Sequence, residues 1–494
     1  MTTTAEQSSS SSLHPPATPR YILRGHASPI HALHFFGLNS RLASADADGW
    51  LVIWDVVTKR PRVVWKAHEG SVLEVKGFFT ENDGGGGGGE MEVFTHGRDH
   101  KLRVWRITSA DEELLDKRLP VERSKQSSSS STTTQPWLVH SLAVNALNFC
   151  AFSLCFVPEI RKSSCVGDES SSSDDPEQKG TSSPTGQRRQ RNPLLLAVPN
   201  ALNSGAVDIF HLPSERRVST IPADSSVQTG MVMAVHIFFT AQGDDLYVVS
   251  GYEDGQVMVH VRRGPGLESW TWEKLYASRP HSQPVLSLDI PPGKERKDYF
   301  ITSSADALIV KHPIPHITSS SAKGKAKAKE GEEGEEEKVQ NAPLKVLNTK
   351  HAGQQGLRVR SDNKIFATAG WDARVRVYSC KTMKELAVLK WHKEGCYAMA
   401  FAEILDSGGG GSDVEGDQDQ DQDHTSPTAA AAATASSTSP DGKDQDQEEE
   451  NRLDLVPAAG SLKAIQQQRS QKAQRTHWLA AGSKDGKVSL WDIY

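Results

Sequence analysis

The sequence predicts an all-β fold, a single seven-bladed β-propeller interrupted by long loop insertions. A segment with one form, a strand rich in small residues, a tight turn and a strand ending in an aromatic residue, recurs seven times along 494 residues. A few stretches between copies, rich in Ser, Gly, Gln, Asp and Lys, are poor in apolar residues, and the whole chain is only 36% hydrophobic. Repeats that cannot bury their own apolar faces pack against one another, and short strands of this kind close into a ring.

The repeat is clearest in its first and last copies, which read LASADADGWLVIWD (42–55) and LAAGSKDGKVSLWD (479–492). Three further copies match well and two match weakly. They are VFTHGRDHKLRVW (93–105), VVSGYEDGQVMVH (248–260), FATAGWDARVRVY (366–378), LAVPNALNSGAVDIF (196–210) and FITSSADALIVKH (300–312).

Aligned on the final residue, the copies share a column of turn aspartates, and most share a hydroxyl four residues earlier. A histidine in a preceding turn, such as His26, can join this set, so that buried polar groups satisfy one another. The predicted network is His26, Ser44, Asp48 and Trp54 in blade one, and His68, Thr95, Asp99 and Trp105 in blade two. Its members in later blades are Asp254, Asp306, Thr368, Asp372, Asp485 and Trp491, with turn histidines at His281, His351 and His392. In blade seven, Ala481 stands where the hydroxyl is expected.

These side chains are interpreted as structural, and no catalytic, cofactor-binding or metal-binding residue is assigned. A His–Asp–Ser set suggests a hydrolase, but an active site is needed once and this set recurs around the ring. The series His26, His31 and His34 suggests metal ligands, but on a regular strand His31 and His34 project to opposite faces. The five cysteines form no C-x-x-C pair, so we expect buried reduced thiols.

The predicted domain is 20–494, preceded by a disordered tail, 1–19. Residues 20–24 (RYILR) are expected to supply the missing outer strand of the last blade. The expected blades are 24–58, 66–108, 137–212, 228–263, 278–315, 348–380 and 389–494. Low-complexity composition predicts disordered insertions at 82–90, 123–135, 159–192, 316–342 and 406–475.

The repeat resembles the WD-repeat family, whose units run from a Gly-His turn to a Trp-Asp pair. The whole chain resembles the ASTRA-associated protein 1 family of fungal WD-repeat proteins. Four segments carry that resemblance: PATPRYILRGH (16–26), LAVPNALNSGAVDIFHLPSERRVSTIP (196–222), GWDARVRVYSCKTMKELAVLKWHKEGCYAMAF (370–401) and the closing KDGKVSLWDIY.

The resemblance implies a nuclear, non-catalytic scaffold subunit of the ASTRA complex, involved in chromatin remodelling and in assembly of phosphatidylinositol-3-kinase-related kinases. Its partners would be other ASTRA subunits. The net charge of −6 provides no basic field for DNA, so chromatin contact would be indirect. No membrane contact and no small-molecule substrate are expected. Basic runs at 187–191 and 323–329 are candidate nuclear import signals.

Two other interpretations remain open. A G-protein β-like signalling adaptor should carry a long N-terminal heptad helix, whereas about twenty Ser/Pro-rich residues precede the first repeat here. A cullin-ligase substrate receptor should show Trp-Asp-x-Arg or Trp-Asp-x-Lys. The two Trp-Asp sites instead read Trp-Asp-Val-Val (54–57) and Trp-Asp-Ile-Tyr (491–494).

Overall fold

The computed structural model contains seven four-stranded antiparallel sheets in the part of the chain that it describes. This confirms the predicted seven-bladed propeller. The described residues are 17–80, 89–123, 134–145, 150–158, 193–241, 245–262, 270–293, 296–316, 341–405 and 459–493. The chain divides into the propeller, which includes residues up to Ile404 and from Ser470 onward, and a second unit, Leu405–Arg469.

The first three blades use strands β2 to β13, in chain order from the inner to the outer strand. Blade one contains β2 (Ile30–Phe36), β3 (Arg41–Asp46), β4 (Trp50–Asp55) and β5 (Pro61–Lys66). Blade two contains β6 (Val72–Thr80), β7 (Glu90–Gly97), β8 (Lys101–Ile107) and β9 (Trp137–Ala143). Blade three contains β10 (Ser153–Phe156), β11 (Leu194–Pro199), β12 (Val207–Leu212) and β13 (Arg216–Ile221).

The next three blades follow the same order. Blade four contains β14 (Val232–Phe239), β15 (Leu246–Tyr252), β16 (Val257–Arg262) and β17 (Trp272–Ser278). Blade five contains β18 (Val285–Asp289), β19 (Tyr299–Ser304), β20 (Leu308–Pro313) and β21 (Lys345–Asn348). Blade six contains β22 (Gln354–Val359), β23 (Ile365–Gly370), β24 (Val375–Ser379) and β25 (Glu385–Leu389).

Blade seven joins the two ends of the chain. It contains β26 (Cys396–Phe401), β27 (Trp478–Ser483), β28 (Lys487–Asp492) and, as its outer strand, β1 (Tyr21–Arg24). The register pairs Tyr21 with Leu490 and Arg24 with Lys487. Leu23 of β1 is 2% exposed and lies in the apolar cluster between blades seven and one.

The middle strands of each blade are buried on both faces because each sheet packs between two neighbours. This explains nearly continuous apolar runs such as LLLAVP in β11 and VMVHVR in β16, whose residues are all buried. The clusters that hold neighbouring blades together mix residues from both. Between blades one and two, for example, Ala45 and Ile53 pack with Val75 and Val93. Burial of this apolar surface is the main stabilising contribution to the ring.

The inner strands share an irregularity near their start. The pairing register shifts between the first and third residues of β2, β6, β14, β18, β22 and β26. A bulge of this kind inserts one extra residue and redirects the side chains that follow it. The third and fifth residues of these six strands therefore occupy equivalent levels around the ring axis.

An insertion between β8 and β9 packs on the outside of blade one. Helix α1 (Ser109–Leu114) begins at Thr108, whose side chain forms a reciprocal capping box with Asp111. A second short helix, α2 (Pro120–Arg123), follows. The Asp116 carbonyl accepts the Val64 N–H of outer strand β5 at 2.8 Å, and the Gly25 carbonyl accepts the Val121 N–H at 3.0 Å. The insertion therefore covers an open sheet edge beside the ring closure.

The structure corrects several predicted boundaries. The sequence predicts residues 137–143 in blade three, but they form β9, the outer strand of blade two. The outer strands of blades one, three, four, five and six, at 61–66, 216–221, 272–278, 345–348 and 385–389, also lie outside the expected blade limits. Outer strands carry no repeated marker residue, and a long insertion can separate them from the rest of the blade.

The predicted disordered insertion at 406–475 contains a helix, α3 (Ala459–Arg475). Its Ala, Gln, Lys and Arg residues favour helix, although their low hydropathy suggested disorder. The indole N–H of Trp478 donates to the Ala473 carbonyl at 2.8 Å and so anchors the end of the helix. The other predicted insertions, and the tail up to residue 16, lie largely outside the described residues. No described helix is long and apolar enough to span a bilayer.

Ring closure by β1 can be tested by two truncations. We expect removal of residues 1–18 to leave thermal stability unchanged, because β1 stays intact. Removal of residues 1–24 should lower the melting temperature and promote aggregation, because it deletes buried Leu23 and leaves the β28 edge unpaired. Differential scanning fluorimetry and light scattering provide the measurements. Equal behaviour of the two truncations would show that β1 does not stabilise the ring.

Candidate functional site

Blade one contains a fully connected chain of buried polar side chains. His26 Nδ1 lies 2.7 Å from Asp46 Oδ2, and His26 Nε2 lies 2.7 Å from Ser44 Oγ. The indole N–H of Trp54 donates to the same Ser44 oxygen at 2.8 Å. Asp46 and Ser44 are both 0% exposed. We call such a set, a turn side chain, a hydroxyl and the closing residue of the third strand, a blade network.

The connectivity is that of a Ser–His–Asp triad, but the position of the hydroxyl is not. Asp46 lies against Nδ1 of the imidazole and Ser44 against Nε2, the order of groups in a triad. A nucleophile must reach its substrate, whereas Ser44 has no exposed surface and also accepts the Trp54 N–H. The arrangement satisfies buried polar groups, each of which would otherwise cost about 1–3 kcal/mol.

The acidic member of this network is Asp46, and the prediction of Asp48 was wrong. Asp48 lies on the exposed tip of the turn and accepts a short hydrogen bond from the Ser28 hydroxyl. Asp46 Oδ1 also accepts the backbone N–H groups of Asp48 and Trp50, both at 3.0 Å, and so fixes the turn. Both aspartates stand near the turn in the sequence, and only the folded turn shows which one meets the histidine.

Blade two places its four predicted residues together. His68 Nδ1 lies 2.8 Å from Asp99 Oδ1, His68 Nε2 lies 2.8 Å from Thr95 Oγ1, and the Trp105 N–H donates to Thr95 at 3.0 Å. Arg103 adds a charged hydrogen bond to Asp99 at 2.8 Å. The hydrogen bonds from His68 and Arg103 hold the pKa of the Asp99 carboxyl well below its usual range, although its partial burial acts in the opposite direction.

Blade five extends the network with a histidine in the closing position. His281 Nε2 lies 2.9 Å from Thr302 Oγ1, and its Nδ1 lies 3.2 Å from Asp306 Oδ2. Thr302 also bonds to His312 Nε2 at 2.9 Å, and His312 Nδ1 lies 2.9 Å from the Tyr276 hydroxyl. Burial lowers the pKa of His312 well below its ordinary value. An uncharged imidazole therefore replaces the indole of blades one and two.

Blade six uses a glutamine where a histidine was predicted. The Thr368 hydroxyl donates to Gln354 Oε1 at 2.7 Å, and both residues are fully buried. His351, the predicted turn histidine, is exposed, and its Nδ1 is 3.7 Å from Asp372. Asp372 instead receives two hydrogen bonds from Arg376, at 2.6 and 3.1 Å. The prediction for His351 was wrong because Gln354 occupies the space beside the hydroxyl.

In blade seven the network hydroxyl lies on β28 instead of β27. His392 Nε2 lies 2.8 Å from Ser489 Oγ, and the Trp491 N–H donates to the same oxygen at 2.8 Å. Ser489 pairs in register with Ala481, the position where the hydroxyl was missing. Asp485 bonds to Lys487, and its Oδ1 lies 3.7 Å from His392 Nδ1, beyond hydrogen-bond distance. Blade seven therefore contains a buried network hydroxyl, although Ala481 stands where the sequence pattern places it.

Blades three and four depart furthest from the repeat. In blade three, Asn200 Nδ2 donates to both carboxylate oxygens of Asp208 at 2.9 Å, and both residues are buried. In blade four, the Ser250 hydroxyl donates to the Tyr252 hydroxyl at 3.0 Å. Asp254 caps its turn by accepting the Gln256 N–H at 2.9 Å, and no described histidine reaches it.

The spacing between a histidine and the start of the following inner strand distinguishes network histidines from other histidines. The histidine stands four residues before the first residue of the inner strand in blades one, two, five and seven. His351 stands only three residues before Gln354, so this spacing would have excluded it. The expectation that His31 and His34 face opposite sides applies to a regular strand, and β2 is irregular at this point. The bulge between Ile30 and Ala32 changes the alternation, and both histidines border the central cavity.

The described cysteines are free thiols, as predicted. They are Cys150, Cys155, Cys380 and Cys396, and Cys165 lies outside the described residues. Burial raises the pKa of the Cys380 thiol to about 11 and that of Cys396 to about 12, so neither is an activated nucleophile. Among the described residues, no group of three or more His, Cys, Asp or Glu side chains is arranged to hold a metal ion.

Comparisons with known proteins give one consistent result. The family model described as ASTRA-associated protein 1 matches residues 19–491. The ASTRA-associated protein 1 of Aspergillus niger is 53% identical to this chain, over 97% of it and 98% of the relative. The protein of the same name from Verticillium alfalfae is 41% identical over 96% and 93%. That from Schizosaccharomyces pombe is 31% identical over 78% and 93%.

The identity of the acid in blade one gives a matched pair of variants. We expect Asp46→Ala to lower the free energy of unfolding by about 1–3 kcal/mol, because it orphans buried His26 and two turn N–H groups. Asp48→Ala should change it by less than about 0.5 kcal/mol, because that carboxylate is exposed. Urea unfolding followed by tryptophan fluorescence measures both. A larger effect at Asp48 would contradict the assignment.

Proposed function

Because the chain belongs to the ASTRA-associated protein 1 family, we propose that it is a non-catalytic scaffold subunit of a nuclear ASTRA complex. It would contact other subunits directly and take part in chromatin remodelling and in assembly of phosphatidylinositol-3-kinase-related kinases. The name of the relatives, ASTRA-associated protein 1, supports association with the complex.

The observation that carries the non-catalytic role is the burial of every described network hydroxyl. The side chains of Ser44, Thr95, Thr302, Thr368 and Ser489 are all 0% exposed. Each is hydrogen-bonded to a histidine or glutamine of its own blade. Residue types that could perform acid–base or nucleophilic chemistry are thereby used to stabilise blades. Binding to other proteins through the outer surface is the function that such a rigid ring supports best.

The net charge of −6 supports indirect contact with chromatin, since counterion release from DNA requires clustered cations. We therefore expect chromatin association through partner subunits. Purified protein should bind duplex DNA only weakly at physiological salt.

The test combines partner recovery with variants of equivalent hydroxyls. The tagged protein should co-purify from nuclear extract with other ASTRA subunits, identified by mass spectrometry. Ser44→Ala and Thr302→Val should both reduce the amount of folded protein, by similar factors, because they break equivalent networks in blades one and five. Partner recovery per folded molecule should stay at the wild-type level in both.

Two results would contradict the scaffold role. One is loss of function at normal abundance in only one of these variants, since that would mark one set as a unique active site. The other is a set of partners composed of Gα and Gγ chains or of cullin adaptors, which would favour a signalling adaptor or a substrate receptor.

A further inference from the structure

A cavity of about 670 Å³ lies on the axis of the ring and is bordered by residues of the inner part of all seven blades. Because six inner strands share the same bulge, their third and fifth residues form two layers along its wall. The third-residue layer is made of small side chains such as Ala32, Ala234 and Gly356, with one exception, Glu74. The fifth-residue layer is His34, Lys76, His236, Asp289, Arg358 and Ala400.

The charges of this cavity are only partly paired. Arg358 of blade six reaches Glu74 of blade two at 2.8 Å, although these blades are not neighbours in the ring. Asp289 Oδ2 accepts the Val359 N–H at 2.7 Å. Lys297 Nζ donates to the carbonyls of Pro291 and Gly293 at 2.6 and 3.1 Å. The cavity lining carries three cations, Lys76, Lys297 and Arg358, and three carboxyl groups, Glu74, Asp289 and the exposed Glu403.

Lys76 is the cation of this cavity lining that has no direct partner. Within the described part of the chain, its ammonium makes no hydrogen bond and no ion pair within 4 Å. Burial lowers its pKa and the nearby Arg358 guanidinium adds to that shift, whereas the carboxylates of Glu74 and Asp289 oppose it. Lys76 is half-buried on the cavity wall, and an ammonium there that lacks a direct partner favours an added counter-charge.

Two neutral histidines provide further donors. His34 Nδ1 accepts the Gly77 N–H at 3.0 Å, so the neutral ring carries its proton on Nε2. Burial lowers the pKa of His236 to about 3, and the charges of Lys76, Lys297 and Arg358 add to that effect. His34 therefore offers an Nε2–H donor on the cavity wall without adding a charge.

We propose that this central cavity binds a small phosphate-bearing anion. Lys76 supplies an ammonium without a direct partner and His34 an imidazole N–H. Arg358 supplies a guanidinium whose terminal nitrogens also donate to Leu357 and Glu74. Ammonium, guanidinium and imidazole groups are donor types that recognise phosphate oxygens. The volume lies within the range of small-molecule sites and exceeds that of a single phosphate group. This site goes beyond the scaffold role, since it assigns a ligand to a part of the ring remote from the outer surface.

Inorganic pyrophosphate is the probe, titrated into full-length protein at constant ionic strength in chloride buffer. Isothermal calorimetry should show saturable binding, with a parallel rise in melting temperature. Lys76→Met should weaken binding by about tenfold or more, because a charge-assisted contact is lost. The control Lys101→Met, which replaces an exposed lysine of blade two, should leave affinity unchanged.

A second variant distinguishes binding from a folding defect. Asp289→Asn retains an oxygen that can accept the Val359 N–H but removes a negative charge from the cavity, so pyrophosphate should bind more tightly. A merely destabilised protein would bind more weakly. Absence of saturable binding to the wild-type protein would overturn the proposal. So would equal affinities in the Lys76, Asp289 and Lys101 variants, which would indicate surface association only.

Discussion

Closure of the ring between β1 and β28 is the constraint on which the rest of the structure depends. Each blade is a small sheet with two apolar faces, and it is stable only when both faces meet a neighbour. Pairing of Tyr21–Arg24 with the last strand completes blade seven, whose residues then pack with those of blade one. The insertion containing α1 and α2 adds hydrogen bonds to Gly25 and to β5 beside this junction. Closure thereby turns seven marginal sheets into one ring.

Within the closed ring, a polar requirement is met in several chemically different ways. A hydroxyl in the middle of the blade must be satisfied, because burying it unpaired is costly. Blade one supplies a histidine and an indole, blade five two histidines, and blade six a glutamine. Blade seven moves the hydroxyl to the neighbouring strand, at Ser489. What the blades share is the satisfied hydrogen bond, and the residue type varies around it.

This explains how far the sequence predicts the structure. The blade count, the pairing of the chain ends and the blade-two network follow from a regular repeat, and the free thiols follow from the lack of a C-x-x-C pair. Gln354 takes the place of the turn histidine, and Ser489 supplies the hydroxyl from the strand next to Ala481. Both keep the hydrogen bond, but neither stands at the aligned position in the repeat, so the sequence pattern does not identify them. Which of Asp46 and Asp48 meets His26 depends on the folded turn. The outer strands carry no repeated marker residue, so the repeat does not give their positions. Low hydropathy over 406–475 predicts disorder, whereas the Ala, Gln, Lys and Arg residues of α3 favour helix.

The central claim is that the recurrent polar sets are permanent structural bonds and not a reactive site. Native-state hydrogen exchange of the tryptophan indole N–H groups, measured by NMR, tests it directly. Trp54, Trp105 and Trp491 donate to buried hydroxyls, whereas Trp371, 48% exposed, donates to Gln355 on the surface. The account predicts that the first three exchange only through global unfolding, while Trp371 exchanges much faster. Exchange of Trp54 and Trp105 as fast as that of Trp371 under native conditions would contradict it.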